Sequence, residues 1–101
     1  MIPMEIKDTA ETGRIEAILS DESDWNLFDQ IADSIAVEFN GYWIEKLDGL
    51  DNRYWDIAIE GIILTLHLEH YLGISLFPKY NEVKAKLLIQ KIVKFLETKK
   101  L

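Results

Sequence analysis

The chain has 101 residues, 11 basic against 18 acidic, with a net charge of −7, 49% hydrophobic residues and no cysteine. That length suits one globular domain with its own core. The lack of cysteine excludes disulfides, thiolate metal sites and cysteine nucleophiles, and the acid excess argues against a nucleic-acid-binding surface.

The start, Met1 to Glu5, lacks a basic flank and an apolar run, and the greasiest stretch, 61–77, is interrupted by His67, Glu69 and His70. The expectation is a soluble cytoplasmic protein with no signal peptide and no membrane contact. Ile2, Met4 and Ile6 alternate with Pro3, Glu5 and Lys7, and Ile15, Ala17 and Leu19 alternate again after Glu11-Thr12-Gly13-Arg14. A short hairpin accounts for both runs. The rival, a helix over 10–19, would carry Gly13 at its centre at a cost of about 1 kcal/mol. Next, Ser23 is the expected N-cap of a helix. Phe28, Ile31, Ala32, Ile35, Ala36 and Phe39 form its apolar stripe, and Asn40-Gly41 its left-handed stop.

From Tyr42 to Phe77 the apolar period changes to two, the mark of half-buried strands. A strand over Tyr42–Leu47 and another over Arg53–Glu60 are joined through 48–52. The facing of the first is ambiguous, because Tyr42 and Ile44 alternate with Trp43, Glu45 and Leu47. A two-residue turn at Glu60-Gly61 pairs residues whose numbers sum to 121, setting Ile59 opposite Ile62, Ile57 opposite Leu64 and Trp55 opposite Leu66. A slip of one residue would scatter these aliphatics over both faces. A connection over 70–72 then pairs Leu68 with Ile74 and Leu66 with Leu76, and Pro78 ends the strand.

The last element is a helix with Asn81 as its expected cap. Ala85, Leu88, Ile89, Ile92 and Leu96 lie on its apolar side and Lys84, Lys91 and Lys94 on the outer side. The predicted fold is α+β: a two-layer sandwich of an antiparallel sheet of four or more strands, with both amphipathic helices on one face. Charge follows this division. Residues 1–78 hold 4 basic and 16 acidic residues, and residues 79–101 hold 7 basic and 2 acidic.

No motif names a chemistry. His67 and His70 would point to opposite faces of a strand, whereas a metal site on a helix needs two imidazoles on one side. His67 is expected to pair with Tyr54, His70 to lie in a loop, and no metal or cofactor is assigned. Asp56, Glu60 and Glu69 share the outer face, but a flat sheet supplies no pocket to separate their pKa values for acid–base work, so no catalytic residue is assigned. The glycines are spaced as strand punctuation rather than as a phosphate loop. Tyr54, with Trp43 or Tyr42, is expected beside Thr65 and His67 on the face away from the core, where rings among carboxylates suit a protein interface.

The run Tyr54-Trp55-Asp56, Gly61 and Leu64 to Ile74 resembles small uncharacterised bacterial proteins, a likeness confined to the central third. In size, acidity and α+β layout the chain also resembles toxin-immunity proteins. The first likeness carries no assigned activity; with the second, the leading reading is a non-enzymatic protein-binding module, in one form an immunity-type inhibitor of a basic toxin. Its expected contact set is Trp43, Tyr54, Asp56, Glu60, Thr65, His67 and Glu69. The alternative is a small enzyme or a ligand- or metal-binding protein using His67 and nearby carboxylates, which requires a deep pocket beside His67. A self-associating protein, such as a homodimer, is a third class.

Overall fold

The computed structural model describes residues 4–9, 14–80 and 82–99. Among them the order is β1 (Glu5–Thr9), β2 (Arg14–Ser20), α1 (Trp25–Glu38), β3 (Tyr42–Asp48), β4 (Asn52–Ile59), β5 (Ile62–Glu69), β6 (Gly73–Pro78) and α2 (Val83–Thr98). The strands form one six-stranded antiparallel sheet in the order β1-β2-β6-β5-β4-β3, so the fold is α+β. The N-terminal hairpin pairs as expected, and its second strand joins β6, extending the sheet beyond the four central strands. Strand β2 also displaces the rival helix. Ile2 and the turn residues 11–13 lie outside the described residues. No helix among the described residues is long and apolar enough to cross a membrane.

The centre of the sheet has the register that the alternation requires. Glu60 and Gly61 both have positive φ, 51° and 81°, as a tight two-residue hairpin demands. Ile57 accordingly faces Leu64, Trp55 faces Leu66, and Leu66 faces Leu76 across β6. Ile57, Leu64, Leu66, Leu68 and Leu76 are fully buried. Each such side chain contributes about 1.5–3 kcal/mol by leaving water. They share one core with Phe28, Ile31, Ala32 and Ile35 of α1 and with Ala85, Leu88, Ile89, Ile92, Val93 and Leu96 of α2. The ends of the helices meet through an edge-to-face contact of Phe39 and Phe95, with centroids 5.7 Å apart.

The ambiguity in β3 has a structural cause. Trp43 pairs with Ile57 but Glu45 pairs with Asp56, so Ile44 is an extra residue and the facing changes there. Before the bulge Trp43 lies on the core side and meets Trp55 edge-to-face at 5.4 Å. After it Glu45 and Leu47 share the outer face with their partners Asp56 and Tyr54. Of Trp43 and Tyr42, the two rings left open for the outer face, Trp43 belongs to the core edge, which corrects its place in the expected contact set.

The caps also differ from expectation. Asp24, not Ser23, caps α1, its carboxylate accepting from the amides of Asn26 and Leu27 at 2.9 and 3.1 Å. Ser23 instead donates its hydroxyl to the carbonyls of Glu69 and His70, fastening the helix entry to the β5–β6 turn. Asn40 supplies the left-handed stop with φ 51°, and Gly41 donates to the carbonyl of Ala36. Helix α2 opens at Val83 with Glu82 in the cap position. Asn81 lies outside the described residues.

Two glycines separate conformation from space. Gly61 has positive φ but open surroundings, whereas Gly73, at φ +93°, has the carbonyl oxygen of Ser20 only 2.1 Å from where a Cβ would sit. Gly61→Ala is expected to cost about 1 kcal/mol, and Gly73→Ala more than about 3 kcal/mol because β2 must also retreat. Urea denaturation of both variants measures the difference, and equal costs would contradict the close approach.

Candidate functional site

Every second residue of the central strands points away from the core, and these side chains line one concavity of about 790 Å³. Strands β1 and β2 contribute Glu5, Lys7, Glu16 and Ile18; β6 contributes Ser75 and Phe77; β5 contributes Thr65, His67 and Glu69. Tyr54 and Asp56 of β4 and Glu45 and Leu47 of β3 complete the wall, with Leu72, Gly73, Pro78 and Lys79 at the ends. A flat face was expected. The sheet is instead a trough, and irregularities in β2 between Ile18 and Ser20 and in β3 between Trp43 and Glu45 bend strands on both flanks of its centre.

The floor is aromatic. Tyr54 and His67, paired across the β4–β5 hairpin as expected, stack with centroids 4.3 Å apart, and His67 meets Phe77 edge-to-face at 5.9 Å. The Glu69 carboxylate lies 3.8 Å from His67 Nε2. His70 is in the following turn, against Tyr71. Among the described residues no three His, Asp or Glu side chains are grouped to hold a metal ion.

Beside the aromatic pair sits a buried carboxylate. Asp56, only 6% exposed, accepts from Thr65 Oγ1 at 2.7 Å and from Lys79 Nζ at 2.6 Å. Thr65 is its partner across the hairpin, also buried. Lys79 reaches over from beyond the end of β6, and the hydrogen bond and charge of Asp56 hold its ammonium above the ordinary lysine range. The expected contact set therefore divides. Tyr54, Asp56, Thr65, His67 and Glu69 converge in the trough. Glu60 lies in the β4–β5 turn and is not part of the lining, and Trp43 is on the core side.

Counting carboxylates alone missed two features. One is Lys79 on Asp56, a contact across 23 positions in the chain. The other is Arg53, a buried cation on the core side of β4. Its guanidinium donates to both oxygens of Asp48, at 3.0 and 3.3 Å, and to Asp29 of α1 at 2.8 Å. It also lies 4.4 Å from the rings of Trp25 and Trp55. The indole of Trp55 donates to Asp48 at 2.7 Å. Burial pulls Arg53 down, but hydrogen bonds to Asp48 and Asp29 outweigh it and hold the group above its ordinary value. This clamp ties the β3–β4 hairpin, one wall of the trough, to α1. Its one legible signal was the placement of Asp48 and Arg53 on either side of a short hairpin loop.

These features define an α+β fold with an aromatic-floored trough on its sheet, lined by five carboxylates and two lysines among other residues. Residues 4–95 match a family described as Protein of unknown function (DUF3630), and the chain belongs to that family. No curated protein and no solved structure matches it.

The clamp sets a pH dependence. The hydrogen bond from Arg53, followed by that from Trp55, holds Asp48 below its ordinary 3.8. A carboxylate lowered by folding stabilises the protein above its unfolded value, and that stabilisation is lost as pH falls through the folded value. Asp48→Asn should therefore flatten the fall in stability below pH 3.8 in acid titrations followed by circular dichroism. Arg53→Met is expected to cost about 1–3 kcal/mol at neutral pH, reduced from a fully buried pair because both carboxylates are about half exposed.

Proposed function

We propose that the protein is a non-enzymatic binding module that receives a basic protein surface in the trough. The observation that carries this is the union of shape and charge: a concavity spanning all six strands, in which five carboxylates face two lysines. Fixed carboxylates on a concave wall concentrate field toward the opening and speed the approach of a cationic partner. Exposed Leu47, Leu50, Tyr71 and Leu72 lie at the end of the sheet where the β3–β4 and β5–β6 turns sit, supplying apolar anchors beside the charge. Within this reading both helices form one layer on the aliphatic face, which leaves the trough as the open face. The specific form we infer is an immunity-type inhibitor of a basic toxin, acting in a bacterial cytoplasm. Its acid excess and lack of cysteine suit that setting.

The concavity also favours a second reading, a small-ligand binder or enzyme using His67 with Glu69, since about 790 Å³ is the size of a ligand pocket. Its breadth across the whole sheet weighs toward a macromolecule.

Anisotropy of a labelled oligolysine peptide tests the first reading. Binding is expected at low ionic strength and should weaken at least about tenfold at high salt. The double reversal Glu45→Lys/Glu69→Lys should weaken it by a similar factor. Binding indifferent to the reversal, or no binding at low salt, overturns it. For the immunity form, the product of the neighbouring reading frame should be basic and co-purify with the protein through the trough. A neutral or non-binding product removes that form.

A further inference from the structure

A carboxylate that faces away from the core and yet is 6% exposed needs a physical reason. Desolvating a carboxylate costs several kcal/mol unless a cation and hydrogen bonds compensate. Asp56 has both, on two different footings. Its Oδ1 is held by Thr65, itself buried and fixed in the adjoining strand. Its Oδ2 is held by Lys79, whose side chain is 37% exposed and approaches from the solvent side. The backbone of Lys79 is anchored separately, its amide donating to the Ile63 carbonyl at 2.9 Å. The ammonium can therefore leave by rotation of a flexible four-carbon stem, with no rearrangement of the sheet.

The surroundings suit a visiting cation as well as the resident one. Tyr54 is two positions from Asp56 on β4, and Phe77 is the cross-strand partner of Thr65, so aromatic rings flank the carboxylate on the same face. Rings in that position pack against the aliphatic stem of a lysine or the plane of an arginine while the head reaches the carboxylate.

We propose that Asp56 and Thr65 form the cation seat of the trough and that Lys79 is its intramolecular occupant, displaced when a lysine or arginine side chain of the partner enters. This deepens the reading of the trough as a receptor for a basic partner and rests on it. Exchange of one ammonium for another leaves the buried carboxylate compensated throughout, so the seat is never an isolated buried charge. In the free protein Lys79 competes with the partner, setting a threshold that weakly basic surfaces do not pass.

The test uses the full chain and a labelled oligolysine peptide at low ionic strength. Lys79→Met should tighten binding about tenfold, whereas Lys7→Met, the same loss of charge on the same face, should tighten it no more than about threefold. Asp56→Asn combined with Lys79→Met should abolish the gain. Equal tightening by the two lysine variants overturns the seat while leaving the acidic trough intact. Absence of binding in wild type and Lys79→Met alike overturns both. Because Lys79→Met leaves Asp56 without its cation and can weaken the fold, a second measurement uses wild type. The side-chain 15Nζ resonance of Lys79 should move toward that of a solvated lysine on saturation with peptide, while Lys86, paired with Asp8, stays in place. An unmoved Lys79 resonance in the saturated complex overturns the displacement.

Discussion

The register of the β4–β5 hairpin is the constraint on which the rest of the molecule depends. Glu60 and Gly61, with φ 51° and 81°, permit a two-residue connection, and a connection of that length admits one pairing. A slip of one residue would leave the apolar sets of β4 and β5 on opposite faces, turning one strand's aliphatics to water and its polar neighbours into the core, a difference of several kcal/mol. The two helices find their apolar partner only because the slip is forbidden. The trough is the other side of the same decision: whatever does not go into the core is gathered on the opposite face.

How far the chain could be read follows from this. Strict alternation over β4, β5 and β6 made the register, the turn and the core legible, down to Leu68 opposite Ile74. Strand β3 was legible as a strand but its facing was not, because a bulge at Ile44 breaks the period, and periodicity is the only signal of facing there. Ser23 and Asp24 are equally good caps by residue type; the choice between them is made by the carbonyls of Glu69 and His70, which engage Ser23. The outer face was legible as a set of residues but not as a shape. Curvature comes from strand irregularities, and the burial of Asp56 depends on a lysine beyond the next strand.

Charge, too, changes meaning once it is placed. The acidic body and the basic C-terminal segment are partly complementary within one molecule: Lys79 meets Asp56, and Lys86 reaches Asp8 at 3.1 Å. Arg53 neutralises Asp48 and Asp29 on the core side. The carboxylates that remain open to solvent, the exposed Glu45 and the half-buried Glu69 among them, are those that shape the field outside the protein.

The outer strands carry a consequence of their own. A sheet that does not close has two lateral edges, each a row of unpaired peptide groups able to recruit a foreign strand. Here one edge is β1, five residues long, and the other is β3, interrupted by its bulge and carrying Glu45, Lys46 and Asp48. Neither offers a long, straight, uncharged ladder. Lateral growth into larger sheets by strand addition is therefore obstructed at both edges, and any association through the broad face has to use side chains rather than the backbone ladder.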